Sequence, residues 1–115
     1  MRSDVIFAAS LVVARATVQA CLLRQPGVLT LVASADYPED HACATYMAEI
    51  ATGMPSNLDE LLKPLRHTDR YERVMRGEWP GFPSTDLDLA LVPDVFDFAM
   101  PVLREEGYLR VIASK

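Results

Sequence analysis

The side chains best suited to chemistry lie close together near the middle of the sequence. Asp36, Glu39, Asp40 and His41 place three carboxylates and one imidazole within six residues. Carboxylates of this kind can hold Mg²⁺, usually one or two of them together with water. The same spacing also suits the start of a helix, because Asp36 fits the N-cap and Glu39 fits the third position of a capping box. The pattern alone favours the capping role over a metal site.

Two further side chains are candidate nucleophiles. Cys43 falls one turn into the predicted helix, where a thiol can have a lowered pKa. Its helical spacing with Tyr46, Met47 and Ile50 places it on the buried face, which favours a core cysteine. Ser10 lacks the G-x-S-x-G elbow of a hydrolase nucleophile, and its position favours a helix cap instead.

The apolar pattern predicts alternating strands and helices around these residues. Residues 5–9 and 28–33 are short apolar runs typical of buried strands. Residues 11–24 and 36–53 have helical spacing and follow those runs. Strand, helix, strand and helix in this order predict parallel strands joined by right-handed crossovers. Ligands in such sheets bind beyond the carboxyl ends of the strands, where Ser10 and the acidic stretch would lie.

The second half of the chain predicts short helices followed by a hairpin. The helices are expected over 58–63, 68–76 and 84–91, and the hairpin over 95–103 and 108–113 with Gly107 in the turn. Pro101 predicts that the first hairpin strand lies at a sheet edge. We therefore expect a single α/β domain over residues 1–115, with three α/β/α layers. Its small, mostly parallel sheet is flanked by helices and allows an antiparallel C-terminal hairpin.

Composition narrows the function classes. The chain has 115 residues and a net charge of −5, and an acidic chain without a Lys/Arg cluster is poorly suited to nucleic acid or anionic membranes. Its apolar runs are far shorter than the ~20 residues that span a bilayer. Cys21 and Cys43 lack the spacing of a zinc site or a disulfide framework. With no leader pattern at the start, we expect a cytoplasmic protein with neither nucleic acid nor membrane as partner.

A run of motifs gives the sequence a family resemblance. Glu39-Asp40-His41-Ala42-Cys43-Ala44 is similar to the E-D-x-x-C-A signature of the 2-phosphosulfolactate phosphatase family, where it opens the helix after a strand. Residues 4–14 resemble that family's strand followed by S-x-x-N-A, and residues 86–98 resemble its acidic C-terminal segments. The similarity runs nearly end to end, but it corresponds only to the C-terminal half of the usual enzyme.

The resemblance implies a magnesium-dependent phosphatase that hydrolyses 2-phospho-3-sulfolactate, a small anionic phosphoester, on the route to coenzyme M. In such a reaction Mg²⁺ neutralises phosphoryl charge and polarises the leaving oxygen. By the match of motifs, Glu39 and Asp40 are the expected metal ligands. Asp36, Cys43 and Ser10 are the expected catalytic residues.

The chain also departs from the family's pattern. The family's asparagine falls at Val13, its Cys-Ala-Gly at Ala33-Ser34-Ala35 and its tail cysteine at Ala90, and no set of basic residues could grip a phosphate and a sulfonate together. Two interpretations stay open: a phosphatase completed by another segment, and a non-catalytic module for assembly or small-anion binding. Since two parallel strands cover little core, we expect either a homodimer or a separate N-terminal half as partner.

Overall fold

The computed structural model describes residues 5–115, and helices form most of its regular structure. Two 3₁₀ turns, Leu11–Val13 and Lys63–His67, precede α1 and α4. The five α-helices are α1 (Ala14–Leu23), α2 (Pro38–Thr52), α3 (Leu58–Leu62), α4 (Asp69–Met75) and α5 (Ser84–Ala90). The three strands are β1 (Phe7–Ala8), β2 (Met100–Glu105) and β3 (Tyr108–Val111).

The sheet is antiparallel throughout, so the predicted three-layer fold with a mostly parallel sheet is wrong. The strand order is β1-β2-β3, with Phe7 opposite Pro101 and Glu105 opposite Tyr108. The predicted C-terminal hairpin is present, with β2 over Met100–Glu105 in place of 95–103 and β3 over Tyr108–Val111 in place of 108–113. Gly107 adopts φ 83° in the two-residue turn, a conformation that glycine accepts without steric cost. Because this turn closes locally, β2 pairs with β3 at little entropic cost, and β1 then adds to the hairpin.

The segment 28–33 is not a strand, contrary to the prediction from its apolar run. No strand in residues 5–115 pairs with it. Val28 and Val32 are 83% and 60% exposed, and Leu31 packs partly against the core. An apolar run becomes a strand only where a neighbour satisfies its backbone, and here β1 pairs with the distant hairpin instead. The crossover that would make the sheet parallel is therefore absent from the described chain.

Pro101 lies in the central strand, not at the edge that its lack of an N–H predicts. Val102 N donates to Ile6 O at 2.9 Å on the β1 side, while Ile112 N donates to Pro101 O at 3.3 Å on the other side. The missing donor thus faces Ile112, one residue beyond the end of β3. The ladder continues beyond this point, since Ala99 and Ser114 exchange two backbone hydrogen bonds of 2.8 Å, so proline costs the central strand one bond between pairs that remain intact.

The helices follow the predicted bounds closely, but two predicted caps are wrong. Gly53 ends α2 with φ 72°, as expected, yet α2 begins after Tyr37 and not after Asp36. The Asp36 side chain instead bonds to His41, which removes it from the helix end. The Ser10 side chain makes no capping bond either. The N-terminus of α1 is satisfied from a distant segment, described below.

The core lies where α1 and α2 pack together. Its buried members are Leu11, Ala14, Val18, Ala42, Tyr46, Met47, Leu65 and Leu91. The hairpin projects away from this core, and all four residues of β3 are exposed. No helix within residues 5–115 combines the length and the apolar character needed to cross a membrane. Residues 1–4, on which the expectation of no leader partly depends, lie outside the described range.

Candidate functional site

Two of the acidic side chains at the start of α2 pair with basic side chains, one with His41 of α2 itself and one with Arg70 of α4. Asp36 Oδ1 lies 2.7 Å from His41 Nε2 on an exposed surface. Glu39 Oε1 accepts a hydrogen bond of 2.5 Å from Arg70 Nη1 on α4. Asp40 lies in the same first turn, where a carboxylate stabilises the helix dipole. Two of the three carboxylates are therefore already paired within the fold.

A cluster of cations and aromatic rings fixes Arg70. Its guanidinium lies 4.0 Å from the centre of the Tyr37 ring and 5.9 Å from that of Trp79, and Arg73 approaches Trp79 at 5.5 Å. Such contacts stabilise a guanidinium by about 0.5–1 kcal/mol each at exposed sites. The sequence reasoning missed this cluster, although arginines three residues apart on one helix face followed by a tryptophan were its signal. Through it, α4 holds the start of α2.

These carboxylates do not fit the magnesium site implied by the resemblance. Among residues 5–115, no three His, Cys, Asp or Glu side chains come together as a set that could hold a metal ion. The Glu39 carboxylate, one of the two expected ligands, is turned toward Arg70. A metal ion would have to displace that guanidinium. The Mg²⁺ expectation stays a prediction from the family resemblance.

The Cys43 thiol is not activated as a nucleophile in this fold. Burial raises its pKa to about 11, and the nearby Asp40 and Asp94 carboxylates contribute in the same direction. Its Sγ lies 3.9 Å from Met47 Sδ, one turn along the buried face of α2. The thiol therefore stays protonated at neutral pH, and a thiolate is the form that attacks. This environment suits the core-packing role that its spacing favours.

Ser10 lies apart from the other expected catalytic residues. It is exposed and extended, with φ −152° and ψ 177°, and its carbonyl accepts from Val13 N at 3.2 Å. Within the described chain, no hydrogen bond or ion pair joins Ser10 to Asp36 or Cys43. The structure thus supplies no base for this hydroxyl.

A polar cluster that the sequence did not single out joins three segments around Asp94. Asp94 Oδ1 accepts from Arg15 N at 2.8 Å, which caps α1, and Oδ2 accepts from the Tyr46 hydroxyl on α2. Asp94 N donates in turn to Leu11 O at 2.9 Å. Tyr46 is 3% exposed, and burial, followed by the bond to Asp94, raises its pKa. The bonds of Asp94 to Arg15, Tyr46 and Leu11 thus connect α1, α2 and the loop before β2, and we call this set of bonds the Asp94 tie.

Asp94 has the backbone conformation that this tie requires. Its φ is 56°, a left-handed value that aspartate tolerates better than most residues because its short side chain can bond locally. The signal in the sequence was the Pro93-Asp94 pair between an apolar helix and a strand. No local signal places Asp94 next to α1, because the contact between Asp94 and Arg15 spans 79 residues.

One depression on the described surface is also unsuited to an anionic phosphoester. It has a volume of about 470 Å³ and is lined by Tyr46 and residues 56–60. Asp59 and Glu60 contribute negative charge to it, and no lysine or arginine lines it. A phosphate entering it would meet like charge without a compensating cation. The depression therefore gives no support to phosphoester binding.

The outer edge of β3 is an unpaired, apolar strand edge. Tyr108, Leu109 and Val111 are 62%, 67% and 52% exposed. In the described residues no strand lies beyond β3. Since Ile112 N and Ser114 N bond inward to β2 and its extension, alternation directs the backbone groups of Leu109 and Val111 outward. Such an edge is a template for pairing with another chain.

The chain exposes more surface than is typical of a folded monomer of its mass. Its accessible surface is 8029 Å², whereas a folded monomer of 12.8 kDa typically exposes about 6,300 Å². Its radius of gyration, 15.3 Å, also exceeds the ~13 Å expected for a compact chain of this length. About 1,700 Å² of surface is therefore exposed beyond the usual amount.

Comparison of the chain with protein-family models, curated proteins and solved structures found no match. The resemblance to the phosphatase family thus depends on the sequence motifs alone and stays a prediction. The function has to be argued from the side chains and surfaces described above.

Proposed function

We propose that this chain is a non-catalytic assembly module that associates with further copies of itself. The observation that carries the proposal is the surplus of exposed surface, about 1,700 Å² above that of a typical monomer. A standard interface buries about 800 Å² on each subunit. One such contact per chain would cover about half of this surplus, and two would bring the exposed surface to about the usual value.

The chemistry of that surface supports association. Large apolar side chains are exposed in several places, among them Leu23 at 85%, Leu89 at 66% and Leu109 at 67%. Burial of apolar surface stabilises an interface by roughly 25 cal/mol per Å² before the entropic cost of association is subtracted. Half of the sequence is hydrophobic, which is more than the small core of this fold takes up.

The surroundings of the side chains that were expected to be catalytic support a non-catalytic role. Glu39 pairs with Arg70, and the Cys43 thiol is protonated at neutral pH because its pKa is raised. Phosphoryl transfer needs several cations or donors that converge on the transferring group. No lysine or arginine lines the acidic depression. The phosphatase interpretation therefore remains the alternative, and it needs residues from another chain or segment.

Sedimentation velocity over a series of protein concentrations tests the proposal. We expect the weight-average sedimentation coefficient to rise with concentration toward that of a dimer or larger species. A single 12.8 kDa species at every concentration would contradict self-association.

A phosphatase assay with Mg²⁺ and a generic phosphoester tests the alternative on the same samples. We expect no turnover above the buffer rate. Turnover that Asp40→Ala abolishes and Asp97→Ala leaves unchanged would overturn the non-catalytic proposal. Asp97 is a matched control because its carboxylate is 78% exposed and its one ion pair among residues 5–115 is with Lys115, at 3.4 Å.

A further inference from the structure

We infer that two copies of this chain join by antiparallel pairing of their β3 strands, forming one continuous sheet across a two-fold axis. This inference rests on the proposed self-association and names the surface that carries it. The occupant is a second copy because the surplus of about 1,700 Å² per chain exceeds the roughly 800 Å² that each subunit of a standard dimer buries, and because the strand edge is complementary to itself.

The backbone of β3 is suited to this pairing. Leu109 and Val111 direct their N–H and C=O groups away from β2, as the inward bonds of Ile112 and Ser114 require by alternation. These groups are otherwise left to solvent, and a second β3 strand would give those of Leu109 main-chain partners. The strand carries no proline, and its outer edge has no bulge or described covering segment to block approach.

Charge decides the register of the pair. A two-fold axis perpendicular to the sheet brings residues of the same face opposite each other, so it passes at Leu109 or at Arg110. An axis at Arg110 sets two guanidinium groups directly opposite, which is destabilising. An axis at Leu109 sets Leu109 against the partner's Leu109, and Tyr108 against the partner's Arg110. The second register places a cation beside an aromatic ring on one face and two leucines together on the other.

The same register leaves the existing ion pair of the hairpin intact. Arg110 Nη2 lies 2.9 Å from Glu105 Oε1 on the neighbouring strand, and both side chains remain partly exposed at 55% and 31%. In the dimer each Arg110 therefore lies between a carboxylate of its own chain and a tyrosine of the partner. The partner strand covers the apolar side chains around Arg110 while Glu105 still pairs with its guanidinium. Dimerisation therefore buries no unpaired positive charge.

Two kinds of variant test the pairing. Leu109→Pro removes only an outward N–H, so the hairpin keeps the bonds that Tyr108 and Arg110 make with β2. We expect it to weaken association by about tenfold or more, because the dimer loses two symmetry-related hydrogen bonds. Leu109→Val, which keeps the N–H and an apolar side chain, is the matched control and should change association far less. Circular dichroism shows whether both variants remain folded.

Disulfide trapping keeps the test decisive even if Leu109→Pro unfolds. Residues directly opposite across an antiparallel pair have Cα atoms about 4.5–5.5 Å apart, within the range that a disulfide bridges. Under mild oxidation Leu109→Cys should form a covalent dimer rapidly. Leu89→Cys, equally exposed at 66% but on α5, should cross-link slowly, and the wild type reports the contribution of Cys21 and Cys43.

The outcomes separate this inference from the proposed function. Self-association that Leu109→Pro leaves unchanged, with Leu89→Cys trapped as fast as Leu109→Cys, would overturn β3 pairing and leave the assembly proposal standing. A wild type that stays monomeric at every concentration would overturn both.

Discussion

Replacing Asp94 with alanine removes the tie that joins α1, α2 and the loop before β2. The change deletes the acceptor that caps α1 at Arg15 N and the acceptor of the Tyr46 hydroxyl. It also forces alanine into a backbone conformation with φ 56°. All three losses result from one substitution, so a single variant measures their summed effect on the free energy of unfolding.

The expected cost follows from the three losses. A lost helix cap costs about 1 kcal/mol, and a buried hydroxyl left without its acceptor costs about 1–3 kcal/mol. The left-handed conformation adds roughly 1–2 kcal/mol for a residue with a Cβ. The Asp94 side chain is 27% exposed, so water replaces part of what is lost. We expect a total of about 2–4 kcal/mol, a large share of the stability of a domain of this size.

Urea unfolding followed by circular dichroism, at a concentration where the oligomeric state is fixed, measures this cost. Asp94→Asn keeps the backbone preference and one acceptor, so it should lose less than Asp94→Ala. Asp97→Ala removes an exposed carboxylate three residues further on and should change the free energy of unfolding by less than about 0.5 kcal/mol. If Asp94→Ala is as stable as Asp97→Ala, the tie does not hold the helices together and the reasoning is refuted.

Two further predictions concern α2. Alkylation of Cys43 should be slow at neutral pH and accelerate toward a pKa of about 11; fast modification at pH 7 would contradict a buried thiol. The pKa of the Cys43 thiol is higher in the folded chain, at about 11, than its ordinary value of 9.0. Its contribution to the free energy of unfolding is therefore present below pH 9 and is lost as the pH rises toward 11. Unfolding measured over this pH range should not show that loss in Cys43→Ala. Gly53→Ala should cost about 1 kcal/mol in thermal unfolding through its φ of 72° alone, since no atom lies within 4 Å of an added Cβ. Gly27→Ala, equally open but without a positive φ, is the control, and an equal loss there would contradict the backbone argument.

The helices could be predicted because their signals are local. Periodic apolar residues, the Thr68 cap that accepts from Tyr71 N at 3.1 Å, and the left-handed Gly53 all act within a few residues of the chain. The C-terminal hairpin was predictable for the same reason, since its two strands are separated by one short turn containing Gly107.

The topology of the sheet could not be predicted from such local signals. Residues 28–33 have the composition of a buried strand, but composition does not specify a partner, and β1 pairs with β2 more than 90 residues away. The Asp94 tie and the Arg70–Glu39 pair likewise join residues 79 and 31 apart in sequence. The candidate site was predicted from residue types alone. The partners that engage those residues come from distant segments.

Hydrogen exchange at the β3 amides reports, in one experiment, both whether the chain associates and whether it does so through this strand edge. The Tyr108 and Arg110 amides bond inward within the hairpin and serve as internal references, whereas the Leu109 and Val111 amides face outward. We predict that protection of Leu109 rises with protein concentration as copies pair, while protection of Tyr108 and Arg110 changes little. Rapid exchange of Leu109 at every concentration, with Tyr108 and Arg110 protected, would contradict assembly through this edge.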